Sequence, residues 1–419
     1  MVDAVQMRRW NEDLDVLASR MPTTHANLSH TLGREQFDAA IADIRRRLPD
    51  LARHQVIVEL MKLVAAVGDG HTTVSPWRDT IGFHTLPVSL YRFADGYYVR
   101  AAAHDHLALL GTRVTHVGDV PIEVAEDRLA ALVGRDNDMG VLMYAPTLLV
   151  MPEVLRALGL SADPEGAGLT VEARGSLRTV RLGNAGPFPA LSSSADSWWE
   201  PRDGWAADLR EGAAVPPWLS HLAETYWFSY LSEGEILYCQ LNEIHERGES
   251  LDAFLARALG VADSRGARRF VLDLRHNGGG DGDCNRPIVR ALLRSRFDER
   301  GRLFVITSRR TFSAAQMLIS DLERWTFPIF VGEPSASRWN HYGDSELLVL
   351  PNHRITVRVS TLWWQWDPHD TRQWIEVELP APLTVDAYRT GHDPALEAIA
   401  AFQDMTRSPE QPGVPRFVP

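Results

Sequence analysis

Lysine and cysteine are nearly absent from this chain. Lys62 is the only lysine, so the remaining 42 basic residues are arginine. Any lysine-dependent chemistry therefore has a single candidate. Cys239 and Cys284 are the only cysteines. Two cysteines exclude a disulfide framework and a multi-cysteine zinc site. Two reduced core thiols are the expected state, with a single bridge as the alternative. Long apolar runs are missing as well, and no window approaches about 18 uninterrupted apolar residues, so no membrane span is expected. The N-terminus, MVDAVQMRRWNEDLD, lacks the apolar run that follows the basic start of a secretory signal. A cytoplasmic location is the expectation.

What remains is an ordinary folded composition. The 419 residues are 45% hydrophobic and 23% charged, which excludes disorder as a description of the whole. The length suggests two to three domains at about 150 residues each. The formal charge of −12 argues against a nucleic-acid backbone as the main partner. No internal repeat is visible.

Patterning divides the chain. Phe37, Ile41, Ile44 and Leu48 share one helix face, and Ile57, Leu60, Met61 and Val64 repeat the pattern. Residues 1–80 thus read as a helical region, ending in the turn Gly68-Asp69-Gly70-His71-Thr72. Residues 85–185 hold short strands, such as Tyr97–Arg100 and Arg113–Val117, one amphipathic helix (Ala125–Val133) and a hairpin over 170–182. Residues 186–234 are rich in Gly, Pro, Ser and Trp, and read as a linker packed on a surface. Residues 235–403 alternate strand and helix. That order implies right-handed crossovers and a mainly parallel sheet, followed by a hairpin (Leu347–Leu350 with Ile355–Val359) and a closing helix from Pro394. Residues 404–419 form a Pro-rich tail.

Three loops could carry chemistry. In Asp273-Leu274-Arg275-His276-Asn277-Gly278-Gly279-Gly280 a buried strand runs into three glycines, which either expose N–H groups to a bound oxygen or only supply positive φ. A phosphate loop is disfavoured by the missing GK[ST] ending. In Ser308–Gln316, Ser313 opens a helix. It is either a nucleophile sharing the next N–H with a developing oxyanion or an ordinary N-cap. His71, on its Gly turn, is either a general base or a hydrogen-bonded turn histidine. Together the three are the parts of acyl-transfer catalysis, and sites in parallel sheets form at the carboxyl ends of strands. Asp281-Gly282-Asp283 hints at a calcium loop but lacks the remaining ligands.

These motifs resemble the tail-specific (C-terminal processing) serine proteases, and more closely their tricorn-core and retinoid-binding-protein-like branch. DLRHNGGG resembles Asp-Leu-Arg-x-Asn-x-Gly-Gly, TFSAAQ the Ser-Ala-Ala/Ser-Glu nucleophile segment, and GDGHT the Asp-Gly-His-Thr turn. VGEPSAS with YGDSELLVLPN, and the closing GHDPALEAI, extend the match from about Asp13 to Ile399. The resemblance implies an α+β multidomain fold. Its core would be of the protease/crotonase (ClpP/crotonase) type, with an N-terminal helical region and an inserted PDZ-like β module at 85–185.

The same resemblance assigns Ser313 as nucleophile, His71 as general base, and Gly279 with the N–H of Ala314 as the oxyanion hole. An acid from the C-terminal part should orient the base. Asp370 is the candidate, with Asp367 and Glu376 as rivals. Three positions depart from the family: Gly70 stands where that branch has serine, Gln316 where Glu is usual, and Arg338 in the segment where a dyad lysine would be sought. Arginine stays protonated and cannot serve as base, so the base falls to His71. The implied function is a serine peptidase needing no cofactor or metal. Its partner would be a peptide or protein, recognised by a free carboxyl end on the PDZ-like module. The alternatives are an inactive relative that binds peptides or other ligands, and an esterase or amidase on small substrates. Trp363, Trp364 and Trp366 read as packing residues or as the lining of a substrate groove.

Overall fold

The computed structural model describes residues 4–78, 81–163, 165–189, 191, 195–199, 205–206, 209 and 212–403. The expected tail at 404–419 lies outside the described residues, and so does part of the expected linker. Three helices open the chain: α1 (Ala4–Thr24), α2 (Arg34–Arg47) and α3 (Arg53–Ala65). The apolar stripes read from the sequence are the buried ones, including Phe37, Ile41, Ile44, Ile57, Leu60 and Val64. Each such side chain contributes about 1.5–3 kcal/mol on burial. A two-residue strand, β1 (Thr73–Val74), follows the Gly–His turn.

The next unit is an antiparallel sheet in the order β2 (Val88–Phe93), β3 (Gly96–Ala103), β4 (Arg113–Val117), β6 (Gly166–Ala173), β7 (Ser176–Gly183). Two short strands flank it: β5 (Val120–Pro121) on β4 and β8 (Trp205–Ala206) on β3. Helices α4 (Ile122–Ala130), α5 (Met139–Leu148) and α6 (Pro152–Ala157) sit between β5 and β6 in the chain. This unit and the opening helices share one continuous apolar core.

Part of the expected linker is core structure. After α7 (Asp196–Trp199) and α8 (Pro217–Ser220), strand β9 (Tyr226–Leu231) pairs antiparallel with β10 (Ile236–Leu241), so the linker ends before residue 226. Its alternating aromatics gave no helical or buried-strand period, and only pairing with β10 shows what they are. Trp199 and Trp218 are buried against Phe93 and Tyr388.

From β10 the chain continues through α9 (Leu251–Ser264), β11 (Arg269–Asp273), α10 (Asn285–Leu293), β12 (Leu303–Thr307), α11 (Ala314–Trp325) and β13 (Ile329–Gly332). Strands β10 to β13 are parallel and in sequence order. Alternate side chains explain the layering. Leu237, Cys239, Leu272 and Val305 face α9–α11. Tyr238, Val271, Phe304 and Ile306 face the opposite layer. The expected hairpin is longer than read and joins a different sheet. Strands β14 (His341–Val349) and β15 (Thr356–Trp364) pair with each other, and β15 pairs with β1. Leu348, Leu350, Ile355, Val357 and Val359 pack into the N-terminal core. A last strand, β16 (Leu379–Pro380), closes the core sheet beside β13. Helices α12 (Val385–Thr390) and α13 (Pro394–Ala401) end the described chain. The Ala395 and Ile399 side chains of α13 cover the second face of the core sheet.

Both cysteines are free: Cys239 is buried and Cys284 half-buried. No described helix is long and apolar enough to cross a membrane.

Candidate active site

Ser313 sits where β12 has ended and α11 begins. Its backbone is at φ 55° and ψ −124°, a left-handed conformation that non-glycine residues rarely adopt. Its hydroxyl caps no N–H of α11, so the N-cap alternative does not describe this serine. The Oγ instead lies 2.9 Å from Nε2 of His71, which comes from 242 residues earlier in the chain.

The loop carrying His71 is held by Asp69. One carboxylate oxygen, Oδ1, accepts the N–H of His71 at 2.9 Å, the N–H of Thr72 at 2.7 Å and the hydroxyl of Ser360 at 2.7 Å. The other, Oδ2, pairs with Nε2 of buried His25 at 2.9 Å. Burial pushes this carboxyl up, but the hydrogen bonds from His25 and Ser360 outweigh it and bring its pKa to about 2. An aspartate accepting the N–H groups two and three residues on is an Asx turn, a pattern legible in Asp-Gly-His-Thr.

His71 is buried, and its ring stacks on Phe312 at 4.4 Å between centroids. Burial first, then the neighbouring His341 and Arg358, lower its pKa to about 3. The imidazole is therefore neutral, and the Nδ1–H tautomer is the one in which Nε2 can accept from Ser313. Nδ1 has no well-formed hydrogen bond, and the backbone of Tyr342 is the hydrogen-bonding group that favours the protonated ring.

No carboxylate reaches Nδ1. Asp370 is held by Arg372, whose guanidinium also pairs with Glu323. Asp367 bonds the His369 backbone and ring instead. The hydrogen bonds of the described residues give the His71 ring no side-chain partner besides Ser313.

Gly279 adopts φ 109°, and a Cβ there would come within 2.6 Å of the Ser313 Cβ. Only glycine lets the two backbones approach so closely. The Gly279 N–H, however, donates to Asn277 Oδ1 at 2.9 Å. The expected oxyanion donor is thus occupied in this arrangement, whereas the Ala314 N–H at the first position of α11 is one of the free helix-terminal donors. Asn277 was not singled out from the sequence. Its Nδ2 donates to Leu241 O, which orients the amide so that its oxygen meets Gly279.

The departures from pattern have local causes. A Cβ on Gly70 would lie 2.8 Å from the Phe312 ring, so a serine there would displace the ring that stacks on His71. The Gly70 N–H donates to Oδ1 of buried Asp136 at 2.7 Å. Burial lifts Asp136 to a pKa of about 7, and its Oδ2 has no partner. Gln316 is buried in a neutral hydrogen-bond chain, accepting from Ser335 and donating to Ser320. Arg338 donates to the Asp136 carbonyl, and Lys62 pairs with Glu59 on α3. Asp281 caps the short turn at Gly282–Cys284. Among the described residues no cluster of three metal-ligating side chains occurs. Trp363 is largely exposed on β15 and packs on Tyr342, while the Trp366 indole donates to Asp321.

The sequence matches no family model and no curated protein. The fold does match solved structures. Mature CPAF complexed with lactacystin aligns with a TM-score of 0.62 at 13% identity, covering 94% of this chain and 98% of that one. Mature CPAF alone aligns at 0.61 and 13%, over 94% and 96%. The photosystem II D1 C-terminal processing protease aligns at 0.38 and 14%, over 94% and 96%. At these identities the likeness to CPAF is one of fold. An α+β multidomain architecture, as the motifs implied, is what this chain shares with it.

Proposed function

We propose that this chain is a serine peptidase. The observation that carries the reading is the 2.9 Å contact between His71 Nε2 and Ser313 Oγ, made by a serine that caps nothing and holds a strained backbone. In the proposed reaction Oγ attacks the scissile carbonyl while Nε2 takes the hydroxyl proton. The C–N bond then breaks, the leaving amine takes that proton, and water releases the acyl group by the reverse path. The Ala314 N–H is the first donor to the oxyanion. Gly279 becomes the second when its N–H turns from Asn277 to the carbonyl oxygen. Losing one such donor costs about 10²–10³ in rate. Asp69 supports His71 through the backbone of its loop rather than through Nδ1, and neither Asp370 nor a metal is assigned a step.

A second reading, a relative that binds peptide without cleaving it, is favoured by one observation: the Gly279 N–H is already satisfied. Labelling with a fluorophosphonate separates the two. Wild type should label, and Ser313→Ala and His71→Ala should not. Labelling that survives in Ser313→Ala removes the assignment of the nucleophile. A folded wild type that never labels favours the binding protein. Comparing turnover of peptides with that of small esters decides between peptidase and esterase.

A further inference from the structure

Three residues before Ser313, on the same loop, lies a charge with no counterion. Arg310 is 7% exposed, and its Nε and Nη1 find no acceptor. Leaving a guanidinium buried and unpaired is costly, so such groups are normally paired. The face of Trp198, 4.4 Å from the guanidinium carbon, offers cation–π attraction but no oxygen.

Space for an acceptor exists beside it. A cavity of about 50 Å³ is lined by Arg310 together with Tyr91, Trp199, His276 and Ser308. That exceeds the roughly 10–15 Å³ that one water requires. The other charges in its wall are answered. Glu333 is bound by Arg309, and Arg275 by Asp273 and Asp393. Arg310 alone is left over. This occurs in a chain whose net charge is −12. A guanidinium in an aromatic-walled hollow suits a carboxylate, which it can hold by charge-assisted N–H···O bonds.

We propose that Arg310 and the cavity beside it form a carboxylate-binding subsite, which selects peptides carrying an acidic side chain or a free carboxyl end near the bond to be cut. Its role as a substrate subsite rests on the peptidase reading; its preference for a carboxylate does not.

The test uses the Ser313→Ala protein, in which Ser313 can form no acyl group. Pooled hexapeptides with Glu or Gln fixed at one position, each as free acid and as C-terminal amide, are captured on it and counted by mass spectrometry. Enrichment of about tenfold or more is expected for one carboxylate over its neutral partner. Enrichment by Glu over Gln assigns a side chain, and by acid over amide assigns the chain end. Adding Arg310→Gln should bring the ratio to near one, and Arg310→Lys should restore only part of it. Equal capture of all four pools, or no capture, overturns the subsite, and that result needs no Arg310 variant to fold. Fluorophosphonate labelling of wild type is read separately. Carboxylate enrichment without labelling keeps the subsite and removes the peptidase.

Discussion

Two buried aspartates beside the His71 turn respond to pH in opposite directions. Asp69 has its pKa lowered from 3.8 to about 2 by hydrogen bonds to the charged form. The stability it contributes is full above pH 4 and is lost as pH falls towards 2, an effect of about 2 kcal/mol. Asp136 has its pKa raised from 3.8 to about 7, chiefly by burial. Its contribution is full below pH 4 and is lost as pH rises through 7. Melting temperatures between pH 2 and 9 should therefore separate two variants. Asp136→Asn should be more stable than wild type at pH 8, by more than about 1 kcal/mol, and lose that advantage at pH 4. Asp69→Asn should be less stable than wild type at pH 8 and flatter between pH 4 and 2. A common profile for both variants would contradict the opposite environments described. Asp69 was visible in the sequence only as part of its turn, and Asp136 was not singled out. Ser313, His71 and Gly279 were, because their loops have recognisable order along the chain. Asp370 had no such order to place it, because a carboxylate's partner is set by the tertiary path, and here Arg372 holds it.

At the scale of elements, two loops meet edge to edge. Gly70 lies under Phe312, and Phe312 stacks on His71, so the turn before β1 and the turn before α11 fit only without a side chain at position 70. Gly70→Ser, which restores the serine of the resembling family, should therefore slow fluorophosphonate labelling by about tenfold or more, since displacing a packed ring moves the base off Ser313. The double variant Gly70→Ser with Phe312→Ala should recover part of that rate. Faster labelling by the single variant would mean that the serine matters more than the packing. The parallel strands β10–β13 were readable because both faces are buried, which gives continuous apolar runs such as Leu303–Ile306. The destination of the β14–β15 hairpin was not readable. Its alternation marks two strands, but nothing local says that its apolar face belongs to the N-terminal core.

Across the whole molecule, two bodies make one site, and that hairpin belongs to the first of them. The base stands on the N-terminal body, and the serine on the core sheet with its own separate apolar layers. β15 pairs with β1 just after His71, Ser360 bonds Asp69, and Ser345 donates to the His71 carbonyl, so the hairpin clamps the loop that carries the base. Those contacts lie within the N-terminal body; at the site, the join to the core sheet is the His71–Ser313 hydrogen bond and the packing of Gly70 and His71 on Phe312. Contacts of that kind open at lower free energy than the bodies they join. In a urea titration, labelling of Ser313 should therefore be lost at a lower midpoint than the far-ultraviolet circular dichroism. The gap should widen in Ser360→Ala, which removes one strut from Asp69 without touching either apolar core. Coincident midpoints in both proteins would instead mean that the two bodies and the site between them unfold as a single cooperative unit.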